Sequence, residues 1–157
     1  MKVGQQRRIP ATRPGSKHKR HIFGGYNWMS DQITRTTAET KNSSQFVYFL
    51  EHLLVKEYPT GRVVLVMDNA SYHKSAEALA ALSLFEHRVM VVWLPPYCSD
   101  LNPIERFWRH VKDRACANKL QDTIEAVMGN AEQTLSEQNR TEQVSGFRIL
   151  KNLWRFT

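Results

Sequence analysis

Two uninterrupted apolar runs organise this chain, Val63-Val64-Leu65-Val66-Met67 and Val89–Leu94. Runs of this length read as strands covered on both faces. Ala76–Phe85, between them, is rich in Ala and Leu and reads as a helix. Strand, helix, strand in that order is a βαβ unit with a parallel pair. Upstream, His21–Trp28 and Gln32–Thr37 look like two strands joined by a turn at Ser30-Asp31. Phe46, Phe49, Leu50, Leu53 and Leu54 recur at helical spacing, with Ser43 or Ser44 as N-cap and Pro59-Thr60-Gly61 as the stop. Pro95-Pro96 ends the second apolar run, and residues 96–101 form a loop. Ile104, Phe107, Trp108 and Val111 then fall at i, i+3, i+4 and i+7, one face of a helix reaching to about Asn118. A last helix covers roughly Gln121 to Gln138, with Ile124, Val127, Met128 and Leu135 inward. The tail from Phe147 to Phe156 is mixed, and no internal repeat is visible. The pattern predicts an α/β domain over residues 21–140, with a loop-like arm at 1–20 (Gly4, Pro10, Pro14, Gly15) and a tail at 141–157.

Composition narrows the class. At 157 residues, 41% apolar and 24% charged, the chain is an ordinary globular domain with room for a core. The longest apolar stretch is six residues, far short of a membrane span. The basic N-terminus has no apolar segment behind it and does not read as a secretory signal. Cys98 and Cys116 stand alone; the spacing leaves a disulfide open, and two thiols in a reducing cytosol is the simpler reading. The net charge of +7 is unevenly placed. Residues 1–21 carry seven Lys/Arg (Lys2, Arg7, Arg8, Arg13, Lys17, Lys19, Arg20) and no acid, while the remainder balances fifteen against fifteen. Such an arm suits a polyanion, most simply a nucleic acid backbone; it equally reads as a solvated terminus.

Two carboxylates carry the candidate chemistry. Asp68 ends the first apolar run, and ligands gather outside the carboxyl ends of strands in open α/β sheets. Glu105 falls on the first turn of the helix after the second run. Although 36 residues separate them, the two can converge on one point. Hard cations such as Mg²⁺ are commonly held by a few carboxylates plus a phosphate substrate, which suits phosphodiester cleavage. Each acid also has a structural reading. Asp68-Asn69 is good turn chemistry. Asn102 as N-cap, Pro103 at the first helical position and Glu105 at the third resemble a capping box. His73 could touch substrate or metal, or be an ordinary hydrogen-bonding group. His18 and His21, without a Cys pair, give little ground for a zinc site. Tyr97, Arg106, Arg109, Lys112 and Arg114 could line a nucleic acid face; Arg109 and Lys112 equally suit the wet side of an amphipathic helix.

The joint pattern resembles a known family. Val64–Lys74, with Asp68-Asn69-Ala70 and His73, is similar to the "DNA-x-x-H" segment of the DDE endonuclease domain of mariner-like bacterial insertion-sequence transposases. Leu94–Trp108 resembles that family's "LPPYSPDLNPIE-x-x-W" segment, with Cys98-Ser99 where Ser-Pro is usual. The resemblance covers about residues 5–135. It implies a ribonuclease-H-like fold, a mixed five-stranded sheet flanked by helices, and an Asp/Asp/Glu triad binding two Mg²⁺ or Mn²⁺ ions roughly 3.5–4 Å apart. Asp68 matches the second acid and Glu105 the third, with Asn69, His73 and Asn102 beside the site. The implied function is cleavage and strand transfer at transposon ends and target DNA, in the bacterial cytoplasm at the nucleoid. A homo-oligomer or a partner transposase chain is expected.

The family's first acid has no match. The only acid before Glu39 is Asp31, in a turn, and it is not promoted to that role. The expectation is therefore the C-terminal part of a transposase from a truncated copy, an internal start or a split frame. Its first, central strand would be missing, leaving open apolar sheet edges and a chain that is marginally stable or paired with another. It would bind metal weakly and could be inactive alone. The alternatives are a catalytically dead remnant that still binds DNA, and an unrelated basic nucleic-acid-binding protein in which both motifs are only structural.

Overall fold

The computed structural model describes residues 19–27, 29–96, 102–116 and 123–140. Strands β1 (His21–Asn27) and β2 (Gln32–Ala38) form an antiparallel hairpin. The turn depends on Asp31, which adopts φ 63° and donates its N–H to the Asn27 carbonyl at 2.8 Å. Its carboxylate is buried and accepts from the Tyr26 hydroxyl. Asp31 thus belongs to the turn, as its sequence position suggests.

Helix α1 (Ser43–Glu51) follows. Its N-cap is Asn42, whose side chain accepts from Gln45 N at 3.0 Å, and not Ser43 or Ser44. Asn is among the strongest caps and stands one residue earlier, so both serines fall inside the first turn. The helix passes into a π-helical stretch, His52–Glu57, closed by Tyr58 N donating to Leu53 O at 2.9 Å. Gly61, at φ 84°, turns the chain into β3 (Val63–Met67). A 3-10 turn (Ser71–His73), α2 (Ala76–Ser83, capped by Ser75) and β4 (Val89–Trp93) complete the predicted βαβ unit, with β3 and β4 parallel. Two further helices follow, α3 (Pro103–Cys116) and α4 (Ile124–Arg140).

The described strands make two separate two-stranded sheets, β1-β2 and β3-β4. One core unites them: Phe23 and Ala38 of the hairpin, Met67 of β3, Phe46, Phe49 and Leu50 of α1, and Ala78 and Leu82 of α2. The second core seats α3 and α4 on the other face of the hairpin through Ile33, Phe107, Val111, Ala115, Ala131 and Leu135. Phe107 and Leu135 are wholly buried, each contributing about 1.5–3 kcal/mol of transfer free energy. At the outer edge of β2, the Asn139 amide accepts from Ile33 N at 2.8 Å and donates to Ile33 O at 3.0 Å, which blocks that edge against further pairing.

One expectation fails here. The strands β3 and β4 are covered on one face only. Leu65, Val91 and Trp93 pack against the first core, whereas Val64, Val66, Met90 and Val92 are 60, 50, 56 and 42% exposed. The reason is the placement of the helices: α1 and α2 cover one side, and α3 and α4 spend their apolar faces on the hairpin. The N-terminal arm to residue 18, Trp28, residues 97–101, residues 117–122 with the expected helix ends at Asn118 and Gln121, and the tail from residue 141 lie outside the described residues. No described helix is long and apolar enough to cross a membrane.

Candidate active site

The last residue of β3 is Met67, so Asp68 emerges at the carboxyl end of the strand. Its Oδ1 accepts from Ala70 N at 3.0 Å and from His73 Nδ1 at 2.8 Å. Ala70 is the second residue on, the bond expected of an Asp turn. Oδ2 takes no hydrogen bond from the described residues, and the side chain remains 39% exposed. Asn69 donates its side-chain N–H to the Leu94 carbonyl, and Leu94 N donates to Met67 O at 2.8 Å. The ends of β3 and β4 are thereby tied together beneath the carboxylate.

The 3-10 turn presents Tyr72 and His73 side by side, ring centroids 4.3 Å apart. Phe46 packs on both, at 6.0 and 4.3 Å, and Phe23 meets Tyr72 edge-on at 6.0 Å. Burial pushes His73 below its ordinary pKa; the Asp68 charge and hydrogen bonds pull upward, Lys41 adds to the downward push, and the net is downward. The ring is therefore neutral at pH 7, and with its proton on Nδ1 it donates to Asp68.

Glu105 lies in the first turn of α3, its N–H donating to the Asn102 carbonyl at 3.1 Å, its side chain exposed. Asn102 is half-buried beside it. Tyr72 lies within electrostatic range of both acids. Its hydroxyl is pushed from 10.0 up to about 12, by burial first, then by the negative charge of Asp68, then by that of Glu105. Among the described residues no three His, Cys, Asp or Glu side chains stand close enough to hold a metal ion by themselves. A pair of carboxylate groups with open oxygens suits a hard cation that completes its shell with water and substrate.

The basic residues are dispersed. Arg7, Arg8, Arg13, Lys17 and Tyr97 lie outside the described residues; Lys19 and Arg20 are exposed at the start of the hairpin. Arg20 pairs with Glu39 at 2.9 Å and Arg114 with Glu137 at 3.1 Å. Arg109 and Lys112 are exposed on α3, and Arg106 is half-buried. Three residues beside the site had drawn no notice as site residues in the sequence. They are Tyr72, Lys41 over its ring at 5.1 Å, and Lys74 over the Trp93 ring at 4.9 Å. Tyr72 stood inside the Asp68–His73 segment, but nothing local to Lys41 announces that the chain returns it there.

Comparison with known proteins relates the chain to a family, a curated relative and a solved structure. Residues 1–128 match the family described as DDE superfamily endonuclease. The "Insertion element IS630 uncharacterized 39 kDa protein" of Shigella sonnei is 26% identical over 115 residues, 73% of this chain and 33% of that protein. Among solved structures, the Mos1 transposase in a paired-end complex with its left transposon end superposes with a TM-score of 0.59 at 19% identity, covering 90% of this chain and 48% of that one. This likeness shows a ribonuclease-H-like fold. The chain spans about a third of the curated relative and about half of the Mos1 chain.

Proposed function

This chain belongs to the DDE superfamily endonuclease family, and on that premise we propose that it is a transposase catalytic segment acting on DNA phosphodiesters at the Asp68–Glu105 pair. The observation that carries the reading is the placement of Asp68 at the carboxyl end of β3, held at Oδ1 by Ala70 N and His73 Nδ1, with Glu105 exposed on the first turn of α3. The proposed ligand oxygens are Asp68 Oδ2 and the Glu105 carboxylate. A divalent cation, Mg²⁺ or Mn²⁺, held there would supply Lewis-acid stabilisation of charge developing at a phosphodiester.

The chain's own residues set the geometry. Ala70 N and His73 Nδ1 fix Asp68 Oδ1 and leave Oδ2 without a hydrogen bond from the described residues. Neutral His73 orients the carboxylate through its Nδ1–H without adding a positive charge beside it. Asn69 keeps the ends of β3 and β4 in register below it. The Tyr72 phenol, protonated throughout the physiological range, is a donor that can serve a phosphate or water oxygen. The DNA substrate, as transposon end and target, is consistent with the exposed Lys19 and Arg109 and with the arm residues Arg7, Arg8, Arg13 and Lys17.

Calorimetric titration of Mn²⁺ into the full chain tests the reading. Binding is expected for the parent chain and lost in Asp68→Asn and in Glu105→Gln. Mg²⁺-dependent nicking of terminal-repeat DNA, expected to be weak with only two matched acids, should disappear in the same variants. Mn²⁺ binding that persists in both would overturn the metal assignment. DNA binding without any metal binding would leave a DNA-binding subunit in its place.

A further inference from the structure

We propose that Lys41 and Lys74 form a phosphate clamp that holds the DNA backbone against the carboxylate pair, an inference that rests on the nuclease reading above. They come from different places. Lys41 precedes α1, and Lys74 follows the 3-10 turn that carries Tyr72 and His73. The fold brings both to the carboxyl end of the β3-β4 pair. Lys41 Nζ stands over the Tyr72 ring, 5.1 Å from its centroid, and Tyr72 packs at 4.3 Å on His73, which bonds Asp68 at 2.8 Å. Lys74 Nζ stands 4.9 Å from the centroid of Trp93, which pairs in register with Met67, the residue before Asp68.

Both lysines are exposed, and neither forms an ion pair with an acid among the described residues. An exposed lysine normally sweeps a wide volume. Here an aromatic face restrains each ammonium group by cation–π attraction while leaving its N–H groups directed to solvent. The aromatic supports are themselves fixed. Tyr72 is wedged among Phe23, Phe46 and His73, and Trp93 packs on the first core. Two restrained positive charges beside two carboxylates solve a specific problem. A polyanion approaching an acidic pair is repelled, and a cation between the carboxylates answers only the phosphate it touches. Neighbouring phosphates need counter-charges of their own, and point-charge ammonium groups supply them without reading sequence.

The test is fluorescence anisotropy of a labelled duplex bound by the full chain in EDTA, at salt concentrations from about 50 to 200 mM. Each lost phosphate contact should reduce the salt slope by about 0.9, so the fall in affinity over that range becomes shallower by about 3.5-fold per lysine. Lys41→Gln and Lys74→Gln are expected to show this singly and additively together, for specific and non-specific duplexes alike. Lys56→Gln, on the distant π-helical stretch, should leave the slope at the parent value. Lys41→Arg and Lys74→Arg should restore it, since arginine keeps the charge and the ring contact. Thermal melts of the variants check folding. Slopes unchanged in both glutamine variants would overturn the clamp while leaving the nuclease reading intact, and so would arginine variants that melt normally but do not rescue. A parent chain with no salt-dependent DNA binding would overturn the clamp and the DNA-binding reading together. Mn²⁺ affinity separates the two ideas: the lysine variants should keep it, whereas Asp68→Asn should not.

Discussion

If Asp68 and Glu105 face a common space, Tyr72 is a built-in reporter of it. The perturbation is removal of one carboxylate charge, by Glu105→Gln or Asp68→Asn. The Tyr72 phenol stands at about 12 instead of 10.0, with burial the leading cause and the two acids following. A unit charge several ångströms away through water-accessible space contributes about 0.6 kcal/mol, or a pKa change of about 0.4. Each substitution should therefore lower the Tyr72 midpoint by a few tenths, and the pair together by nearly twice that, leaving the part due to burial. The assay is ultraviolet difference titration of phenolate, with Tyr72→Phe identifying the component. The sign for stability follows. The folded chain keeps the Tyr72 proton where the unfolded chain has lost it, so the contribution is complete below pH 10 and is lost as pH rises from 10 to about 12. Two pKa units would correspond to about 2.7 kcal/mol; because Tyr72 is only half-buried, about 1 kcal/mol is the expected loss after screening by water. A Tyr72 midpoint that ignores both acid substitutions would refute the convergence, and with it the active site.

Other consequences are open to direct measurement. Phe107→Ala, at a wholly buried position in the second core, should cost about 3–5 kcal/mol in urea unfolding. Gly24→Ala places a Cβ 2.6 and 2.8 Å from the Trp108 ring carbons Cζ2 and Cη2, and displacing that ring should cost about 1–3 kcal/mol by the same assay. His73 has a folded pKa below 6.5, so the unfolded chain binds its proton first: stability is complete above pH 6.5 and falls as pH drops from there through the folded value. Urea midpoints at pH 7.5 and 5.5 should show less of this fall in His73→Gln, and an identical fall in both chains would contradict it.

Much of the fold was legible because the informative patterns were local. The βαβ unit follows from two apolar runs around an Ala/Leu segment, and the inward face of α3 from Ile104, Phe107 and Val111 at helical spacing. The one-sided burial of β3 and β4 was not legible. Period-two alternation reveals a half-exposed strand only when the outward residues are polar, and here they are Val64, Val66, Met90 and Val92. The cap of α1 was misplaced by one or two residues because Asn42, Ser43 and Ser44 all have capping side chains, and only the backbone decides among them. The continuation of α1 as a π-helix has no signature in Leu53-Leu54-Val55. Lys41 escaped notice because its partner is a ring 31 positions later, a contact made by tertiary packing alone.

The sequence left two accounts of each acid standing, local structure against chemistry, and for Asp68 the structure shows that the accounts are compatible. The bond from Ala70 N to Asp68 is ordinary turn chemistry. Yet that bond and the one from His73 both fall on Oδ1, and Oδ2 takes no hydrogen bond from the described residues. A carboxylate held by a flexible turn would lose orientation; one gripped at a single oxygen presents the other reproducibly, which is what a small cation with strict geometry requires. Glu105 obeys the same logic from the other side: the first turn of α3 fixes its backbone, the helix dipole favours its charge, and the side chain remains exposed. Asp68→Asn separates the two roles, because an amide oxygen can still accept from Ala70 N and His73. Stability should change by less than about 1 kcal/mol while Mn²⁺ binding disappears. Unfolding comparable to a core truncation would instead assign Asp68 to the turn alone.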